Sequence, residues 1–335
     1  MRIIRPITKK EEEIFIEFAF HIDQGMSSMP KNRERLLHIL HQAEHSFQKE
    51  IITPGDEHYI FVLEDLQTGN IEGTCGIVAK TGLHDPLYFY HKEHMQRMDH
   101  EIPYLRMVHY FSQPSEIGSL FLIPEARHTG SGRLLSLSRF LFIAANPERF
   151  DPVVFAVMRG FFTENRISTF WNGIGRHFSH MEFNEIMKLQ NESELDIPRF
   201  FPSFPVYLEL LPKEVQESVS KVHTDSLPAL NMLIQEGFQL TNEVDMIDGG
   251  PKIEAEVSQI RTIKDSIVAV VEEIVANVVD QRRYLICNNQ LQFRACCSGI
   301  MCKKSKFSVA ISEEAAFALQ VKKGDMVRYV PAVGT

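Results

Sequence analysis

The hydrophobic and polar positions of the first 50 residues predict one strand and two helices. The run RIIRPI is typical of a short strand. Thr8 and Glu11 form a capping box in front of the apolar run IFIEFAF, which predicts a helix over about residues 8–22. Apolar residues then recur at a spacing of three to four, which predicts a second helix over about residues 30–49.

The helical period stops in the next segment, where short apolar runs predict strands. HYIFVLED and IEGTCGIVAK read as a hairpin whose turn takes its positive φ from Gly69 and Asn70. The polar, histidine-rich residues 81–103 predict an inserted loop. Two further strands follow, YLRMVHYF and EIGSLFLI, and the second leads through a glycine-containing turn into an apolar helix that ends at Asn146 and Pro147. The strand DPVVFAVM comes next.

These elements predict an α+β fold with a mixed central sheet flanked by helices. After about residue 260 the chain consists of short β-rich runs separated by polar turns, among them RYLICN, FSVAIS and MVRYV. We therefore expect a first domain of residues 1–258 and a small β-rich subdomain of residues 259–335. This subdomain either covers the active site or forms an interface between subunits, so the sequence leaves a homo-oligomer open.

Composition excludes two classes of partner. The 335 residues are 44% hydrophobic and 24% charged, which is enough for one large or two ordinary cores. The formal net charge of -9 argues against nucleic-acid and membrane-surface binders, which concentrate Lys and Arg. No window approaches 18 uninterrupted apolar residues, and the first residues have no features of a secretory signal. We expect a cytoplasmic protein that binds small molecules.

Cysteine usage gives no sign of a metal site. The five cysteines, an odd number, fit reduced thiols in the cytoplasm. Four of them lie in the last 50 residues, but without the paired CxxC spacing of zinc knuckles. The sequence therefore predicts no bound metal.

The segment IPEARHTGSGRLLSLSRF, residues 123–140, places a glycine turn between a strand and a helix. Gly130 and Gly132 let a ligand approach the backbone, and the amides of residues 129–133 lie at a helix N-terminus, where the dipole favours anions. Arg127 and Arg133 add positive charge. The turn is a candidate phosphate cradle, with tight packing as the alternative. It has neither the lysine of a P-loop nor the glycine spacing of the dinucleotide fingerprint.

The RxxGxG pattern of this turn resembles the pyrophosphate loop of the GNAT-type acyl-CoA N-acyltransferases. The resemblance implies that the loop binds the diphosphate of coenzyme A and that the pantetheine arm lies between two splayed parallel strands, here residues 118–123 and 153–158. The run SLPALNMLIQEGFQL resembles the late helix and strand of the same family. The implied coenzyme-binding residues are Leu120, Arg127, Thr129, Gly130, Ser131, Gly132 and Arg133.

Further motifs narrow the resemblance. GLHDP, VMRG, STFW, VHTDS and IDGGP occur in an order that resembles the arginine N-succinyltransferase family over nearly the whole chain. This implies an insertion over about residues 160–222, succinyl-CoA as co-substrate with no permanently bound cofactor, and transfer of its succinyl group to the α-amino group of L-arginine. His84, where the family commonly has Asn, and the cysteine-rich segment near Cys296 depart from the family, which leaves ornithine as an alternative to arginine.

The transfer needs a neutral amine, a polarised thioester carbonyl and a proton for the leaving thiolate. Many GNAT enzymes supply that proton from a tyrosine on the late helix, but Leu233 occupies this position and cannot donate. The catalytic histidine of the succinyltransferase family falls on His223, just before a helix N-terminus, which lowers the pKa of an imidazole. We expect His223 to act as general acid/base, and the main-chain amide of Leu120 to bond the thioester oxygen or the pantetheine.

Charged side chains near the matching motifs are candidates for the remaining substrate groups. The succinyl carboxylate needs a fixed cation, either Arg159 or Arg139. The guanidinium of the substrate needs carboxylates, for which Asp85, Asp245 and Asp248 are candidates. Each has an ordinary structural alternative, an ion pair for the arginines and a turn for the aspartates.

A rival function from a different class also fits the sequence. A regulator that keeps the fold and the phosphate loop, binds coenzyme A and performs no transfer is permitted by the missing tyrosine at Leu233. Thiol release in the presence of both substrates distinguishes the two.

Overall fold

The structure is a computed structural model and describes residues 1–21, 29–278, 282–303 and 305–332. Its strands are β1 (Arg2–Pro6), β2 (His58–Asp65), β3 (Ile71–Val78), β4 (Leu87–Arg97), β5 (His100–Tyr110), β6 (Ser115–Leu122), β7 (Val153–Val157), β8 (Val206–Tyr207), β9 (Gln239–Asp245), β10 (Pro251–Glu256), β11 (Ile267–Val275), β12 (Tyr284–Cys287), β13 (Ala295–Ser298), β14 (Ile300–Cys302), β15 (Ser308–Ser312) and β16 (Met326–Pro331). Its α-helices are α1 (Glu12–His21), α2 (Arg33–Ser46), α3 (Ser131–Ala145), α4 (Thr169–Gly173), α5 (Gly175–Ser179), α6 (Phe183–Glu192), α7 (Ile197–Phe200), α8 (Lys213–Ser218), α9 (Leu227–Gln235), α10 (Arg261–Lys264) and α11 (Glu313–Leu319).

The described strands join into one mixed sheet, in the order β14-β15-β11-β16-β12-β13-β1-β2-β3-β6-β7-β10-β9-β4-β5-β8. Most neighbours are antiparallel, whereas β6 with β7 and β11 with β15 are parallel. Strand β1 pairs with β2 on one side and with β13 on the other, so the C-terminal strands continue the sheet. The α+β prediction is confirmed. The division near residue 259 stays a prediction.

Strand β2 shows how the sheet separates two hydrophobic cores. Tyr59 and Phe61 point to one face, where they pack with Phe142 of α3. Ile60 and Val62 point to the other face and pack with α1 and α2. Because side chains alternate along a strand, an all-apolar run such as YIFV is buried on both faces of the sheet.

Helix α3 is buried around nearly its whole circumference. The predicted apolar stripe is confirmed, since Leu134, Leu137 and Leu141 are at most 5% exposed. Ser138 and Arg139, outside that stripe, are also buried. The helix contacts the sheet at β1, β3 and β12 and is contacted by α10, which explains why its polar residues are enclosed.

The early helices agree with the prediction. The capping box is present, because Oε2 of Glu11 accepts from the backbone amide of Thr8 at 2.8 Å and the Thr8 side chain accepts from the first turn. Helix α1 follows it, and residue 22 of the predicted range lies outside the described residues. Helix α2 lies within the predicted range and is capped by Asn32. In the β2–β3 turn, Gly69 has a φ of +74° and Asn70 does not have a positive φ.

The prediction of a loop over residues 81–103 is wrong. Residues of this segment form β4 and the start of β5, which pair from Leu87–Tyr110 to Arg97–His100. Most side chains after Tyr90 in β4 are at least partly exposed. A hairpin that is solvated on both faces needs no alternation of apolar residues, and that alternation is the signal on which strand prediction depends.

The insertion between β7 and α9 is mainly helical and has its own small core. Trp171 and Phe170 of α4 are fully buried there, with Ile186 of α6 and Phe201. The indole Nε1 of Trp171 donates to the carbonyl of Met181 at 3.0 Å. This core packs against β4, β5 and β9, and so places the insertion beside the end of β7.

Candidate active site

The parallel strands β6 and β7 separate after only two paired positions. Their register pairs Ser115 with Val154 and Glu116 with Phe155. Beyond this point β6 pairs with β3, and β7 pairs with β10. A cavity of about 640 Å³ opens where the two strands diverge, lined by residues 116–122 of β6 and residues 156–159 at the end of β7.

A β-bulge interrupts β6 at the cavity. Phe121 and Gly118 are three residues apart on β6, whereas their partners Thr74 and Gly76 are two apart on β3. The bulge contains Ser119, whose φ is +51°. A bulge leaves its extra residue outside the ladder and redirects the backbone that follows. The next residue, Leu120, is half-buried and lines the cavity.

The glycine turn forms the N-terminus of α3 at the mouth of the cavity. Gly130 is the N-cap residue, with a φ of +85°, a conformation that costs L side chains free energy. The Thr129 hydroxyl donates to the carbonyl of Ala126 at 2.7 Å and lies 2.7 Å from Oγ of Ser131. The first amides of a helix have no acceptor within it, so those of α3 are available to an anion.

Only some residues of the glycine loop line the cavity. Arg127 and Gly132 line it, together with His128. A Cβ at Gly132 would have the Leu122 side chain as its nearest neighbour at 4.0 Å, so this surface is open. Arg133 is half-buried in the first turn of α3 and does not line the cavity. The loop thus offers backbone amides and the Arg127 guanidinium together.

His223 lies at the edge of the cavity, just before α9. Its backbone amide donates to the carbonyl of Arg159 at 2.9 Å, which ties it to the end of β7. Its Nδ1 accepts from the amide of Asp225 at 3.2 Å. A neutral imidazole whose Nδ1 accepts carries its proton on Nε2. The three residues after His223 line the cavity, whereas His223 does not.

Two of the predicted carboxylates lie at the inner end of the cavity. Oδ1 of Asp245 accepts from the amides of Ile247 at 2.7 Å and Asp248 at 2.9 Å, and Asp248 accepts from the amides of Gly160 and Gly250, both at 2.8 Å. The turn alternative is therefore realised for both aspartates, which also line the cavity. Burial raises the pKa of both carboxyls, and the charge of Asp245 raises that of Asp248 further.

Of the predicted substrate contacts Arg159 and Asp85, one lines the cavity and one does not. Arg159 lines the cavity, and its guanidinium lies 5.0 Å from the centre of the Phe162 ring. Asp85 is exposed between β3 and β4 and does not line the cavity. Leu233, at the position where many GNAT enzymes carry a tyrosine, is buried and lines the cavity.

Glu116 is a site residue that the sequence analysis missed. It is half-buried at the last pair between β6 and β7 and lines the cavity. Within the described residues, its carboxylate has no hydrogen bond and no ion pair within 4 Å. Burial raises its pKa to about 7, an effect that the charge of Lys252 opposes and that of Asp245 increases. The one signal in the sequence is a glutamate inside the apolar run EIGSLFLI.

Within the residues that the structure describes, no group of three His, Cys, Asp or Glu side chains is placed to hold a metal ion. In the same part of the chain, no helix has the length and apolar character needed to span a membrane.

A sheet that opens between two parallel strands, next to a helix N-terminus, defines the class of this protein as an acyltransferase. Comparison with known proteins identifies one family. Residues 2–262 match the family model "Arginine N-succinyltransferase beta subunit", and residues 267–331 match the model of its C-terminal domain. The chain belongs to the arginine N-succinyltransferase family.

Individual relatives are similar to this chain over most or all of its length. The chain is 32% identical to the arginine N-succinyltransferase of Salmonella schwarzengrund, covering 98% of this chain and 97% of that protein. It is 33% identical to that of Shigella sonnei, covering 82% and 81%. Subunit AI of the Pseudomonas aeruginosa arginine/ornithine succinyltransferase has a similar structure, with a TM-score of 0.89 and 32% identity over 100% of this chain and 99% of that chain. The expected GNAT-like α+β fold is confirmed.

Proposed function

We propose that this chain transfers a succinyl group from succinyl-CoA to the α-amino group of L-arginine, giving N2-succinyl-L-arginine and coenzyme A. One observation carries the proposal: a single cavity connects an anion-binding helix N-terminus to an inner end with three carboxyl groups. The first suits the diphosphate of an acyl-CoA, and the second suits a cationic amino acid. Membership of the arginine N-succinyltransferase family supports both.

The coenzyme binds along α3 and the diverging strands. The amides of residues 129–133 and the guanidinium of Arg127 hold the diphosphate, with Arg133 adding charge nearby. Thr129 and Ser131 fix the loop through their 2.7 Å contact. The pantetheine lies between β6 and β7, where the ladder between them has ended. The main-chain amide of Leu120, after the bulge, polarises the thioester carbonyl as it becomes tetrahedral.

At the thioester carbon, one bond forms and one breaks. The uncharged α-amino nitrogen attacks the thioester carbon, a C–N bond forms, and the C–S bond breaks with its electron pair on sulfur. The proton lost by the amine is taken up at the inner end, where the carboxylate of Glu116 has a pKa close to neutrality. His223, whose Nδ1 accepts from the amide of Asp225, carries its proton on Nε2 and supplies the proton that the thiolate requires.

The amino acid substrate lies among the carboxyl groups of Glu116, Asp245 and Asp248. A cation placed among these carboxyls favours their charged forms and is attracted to them, so the group suits a guanidinium or an ammonium. Asp85 lies outside this group and stays a prediction without support from the cavity. Ornithine is the second candidate substrate, because the Pseudomonas structure of similar fold is named an arginine/ornithine succinyltransferase.

The test is thiol release from purified protein. Succinyl-CoA with L-arginine should release the thiol of coenzyme A at a rate that depends on both substrates. Replacing arginine with ornithine or lysine, and succinyl-CoA with acetyl-CoA, measures the selectivity for each partner. Tight binding of coenzyme A with no release under any combination would overturn the proposal and favour a binding protein.

A further inference from the structure

Arg139 is a buried cation in the third turn of α3 and lines the cavity. It is 3% exposed. Its Nε donates to the carbonyl of Ser136 at 3.0 Å, its Nη2 donates to Oγ of Ser136 at 2.9 Å, and its Nη1 donates to the carbonyl of Gly118 at 3.4 Å. These contacts fix the guanidinium against β6, beside the bulge.

The charge of Arg139 is not balanced by any anion in the described part of the chain. No carboxylate oxygen there lies within 4 Å of its nitrogens. The ionisable group that acts on it is the thiol of Cys75, and burial raises the pKa of that thiol to about 12, so it stays neutral. Burying a cation without an anion costs considerable free energy. Such a residue in a ligand cavity indicates that the ligand brings the anion.

The depth of Arg139 in the cavity indicates which anion this is. Arg139 follows Ser131 by eight residues, a rise of about 12 Å along the helix, so its Cα lies far from the diphosphate. Its partner Gly118 precedes Leu120 by two residues on β6. The guanidinium therefore lies beyond the position proposed for the thioester, further from the loop, where the acyl chain must extend.

We propose that Arg139 binds the terminal carboxylate of the succinyl group and so selects acyl chains that end in an acid. This rests on the proposed use of succinyl-CoA. A guanidinium has five N–H donors, and three of them are used by Ser136 and Gly118. One N–H remains on each Nη, which is the pair needed for a two-point bond to a carboxylate.

The structure favours Arg139 over Arg159 for this role. The guanidinium of Arg159 lies over the Phe162 ring, and its charge partly offsets the burial that raises the pKa of Asp248. Arg159 therefore already has an aromatic ring and a carboxyl group as neighbours. Among the residues that the structure describes, Arg139 has neither, and it is the more deeply buried of the two.

The test is calorimetric titration of the full chain with succinyl-CoA, butyryl-CoA and coenzyme A. Butyryl-CoA has the same number of acyl carbons but no carboxylate. In the Arg139→Met variant, the Kd of succinyl-CoA should rise by about 10²-fold, the size of a lost charge-assisted pair, while the other two change by less than about threefold. The matched control is Arg159→Met, which should keep the wild-type ratio between succinyl-CoA and butyryl-CoA.

Two results would overturn the proposal. One is an equal loss for all three ligands in Arg139→Met, because Arg139 would then only support the bulge at Gly118. The other is a loss of the succinyl preference in Arg159→Met instead. If the Met variant does not fold, Arg139→Lys replaces it. Lysine keeps the positive charge and loses the paired N–H donors of the guanidinium. The two proposals can fail separately. If the wild type binds succinyl-CoA more tightly than butyryl-CoA but does not turn over arginine, the transferase reaction is contradicted and the role of Arg139 in binding is not.

Discussion

The backbone amide of Gly160 donates to Oδ2 of Asp248 at 2.8 Å, and this bond joins the end of β7 to the turn between β9 and β10. The approach is close on both sides. A Cβ on Gly160 would lie 2.0 Å from the carbonyl oxygen of Asp248, and one on Gly250 would lie 1.9 Å from that of Met158. The motifs VMRG and IDGGP, 88 residues apart, are therefore two halves of one contact that also shapes the inner end of the cavity.

Gly160→Ala should destabilise the fold strongly. The added methyl group meets rigid backbone, so β7 and the turn must move apart, and we expect a loss of about 3 kcal/mol in the free energy of unfolding. Urea unfolding followed by circular dichroism measures it. Gly132→Ala is the control, because its Cβ has space, and it should change stability by less than about 1 kcal/mol. Equal stability of the two variants would contradict this packing.

Gly130→Val and Gly132→Val should weaken acyl-CoA binding. Valine at Gly130 is strained at a φ of +85°, and valine at Gly132 covers the open surface beside the first amides of α3. We expect the Kd of coenzyme A to rise by at least about tenfold, measured by titration calorimetry. Gly324→Val is the control for strain, since Gly324 has a φ of +96° and equally open surroundings but lies outside the cavity. Unchanged binding in both loop variants would remove the loop from the site.

His223→Ala should reduce turnover and leave binding nearly intact. The lost group is the proposed proton donor to the thiolate, so kcat should fall by about 10²- to 10⁴-fold, while the Kd of coenzyme A changes little. Stopped-flow detection of the released thiol gives kcat. His41→Ala, an exposed position of α2, is the matched control and should behave as the wild type. Full turnover of the His223 variant would exclude this histidine from the mechanism.

Glu116→Gln should change how stability depends on pH. Burial raises the pKa of Glu116 from 4.5 to about 7, so between these pH values the folded chain holds a proton that the unfolded chain has released. Wild-type stability therefore falls as pH rises through this interval, and the Gln variant lacks that loss. Lys252 and Asp245 act on the carboxyl from β10 and β9 with opposite signs.

We expect Glu116→Gln to gain about 3 kcal/mol relative to the wild type between pH 4.5 and pH 8. Parallel denaturant titrations across this range measure the difference. Glu125→Gln, an exposed carboxyl before the loop, is the control and should show no such trend. A gain that is the same at every pH would show that Glu116 is not the titrating group.

The sequence predicted best where an element buries apolar side chains. The α3 stripe and the apolar runs of the hairpin around Gly69 are patterns that packing confirms. The β4–β5 hairpin was missed because its outer half is solvated on both faces. Site prediction likewise succeeded where the signal is local in the sequence. The glycine loop carries its geometry in local residue types, whereas Glu116 and Asp245 come together only through the pairing of β6, β7, β10 and β9, which no short segment encodes.

The position of β1 in the sheet affects how the chain folds during synthesis. Strand β1 is synthesised long before β13, which completes one of its edges and lies about 290 residues further along the chain. Until then, the nascent polypeptide exposes an unpaired strand edge beside its main core. Removing the C-terminal segment would leave that edge open in the finished protein, so truncation there should cause aggregation even when the cavity is left complete.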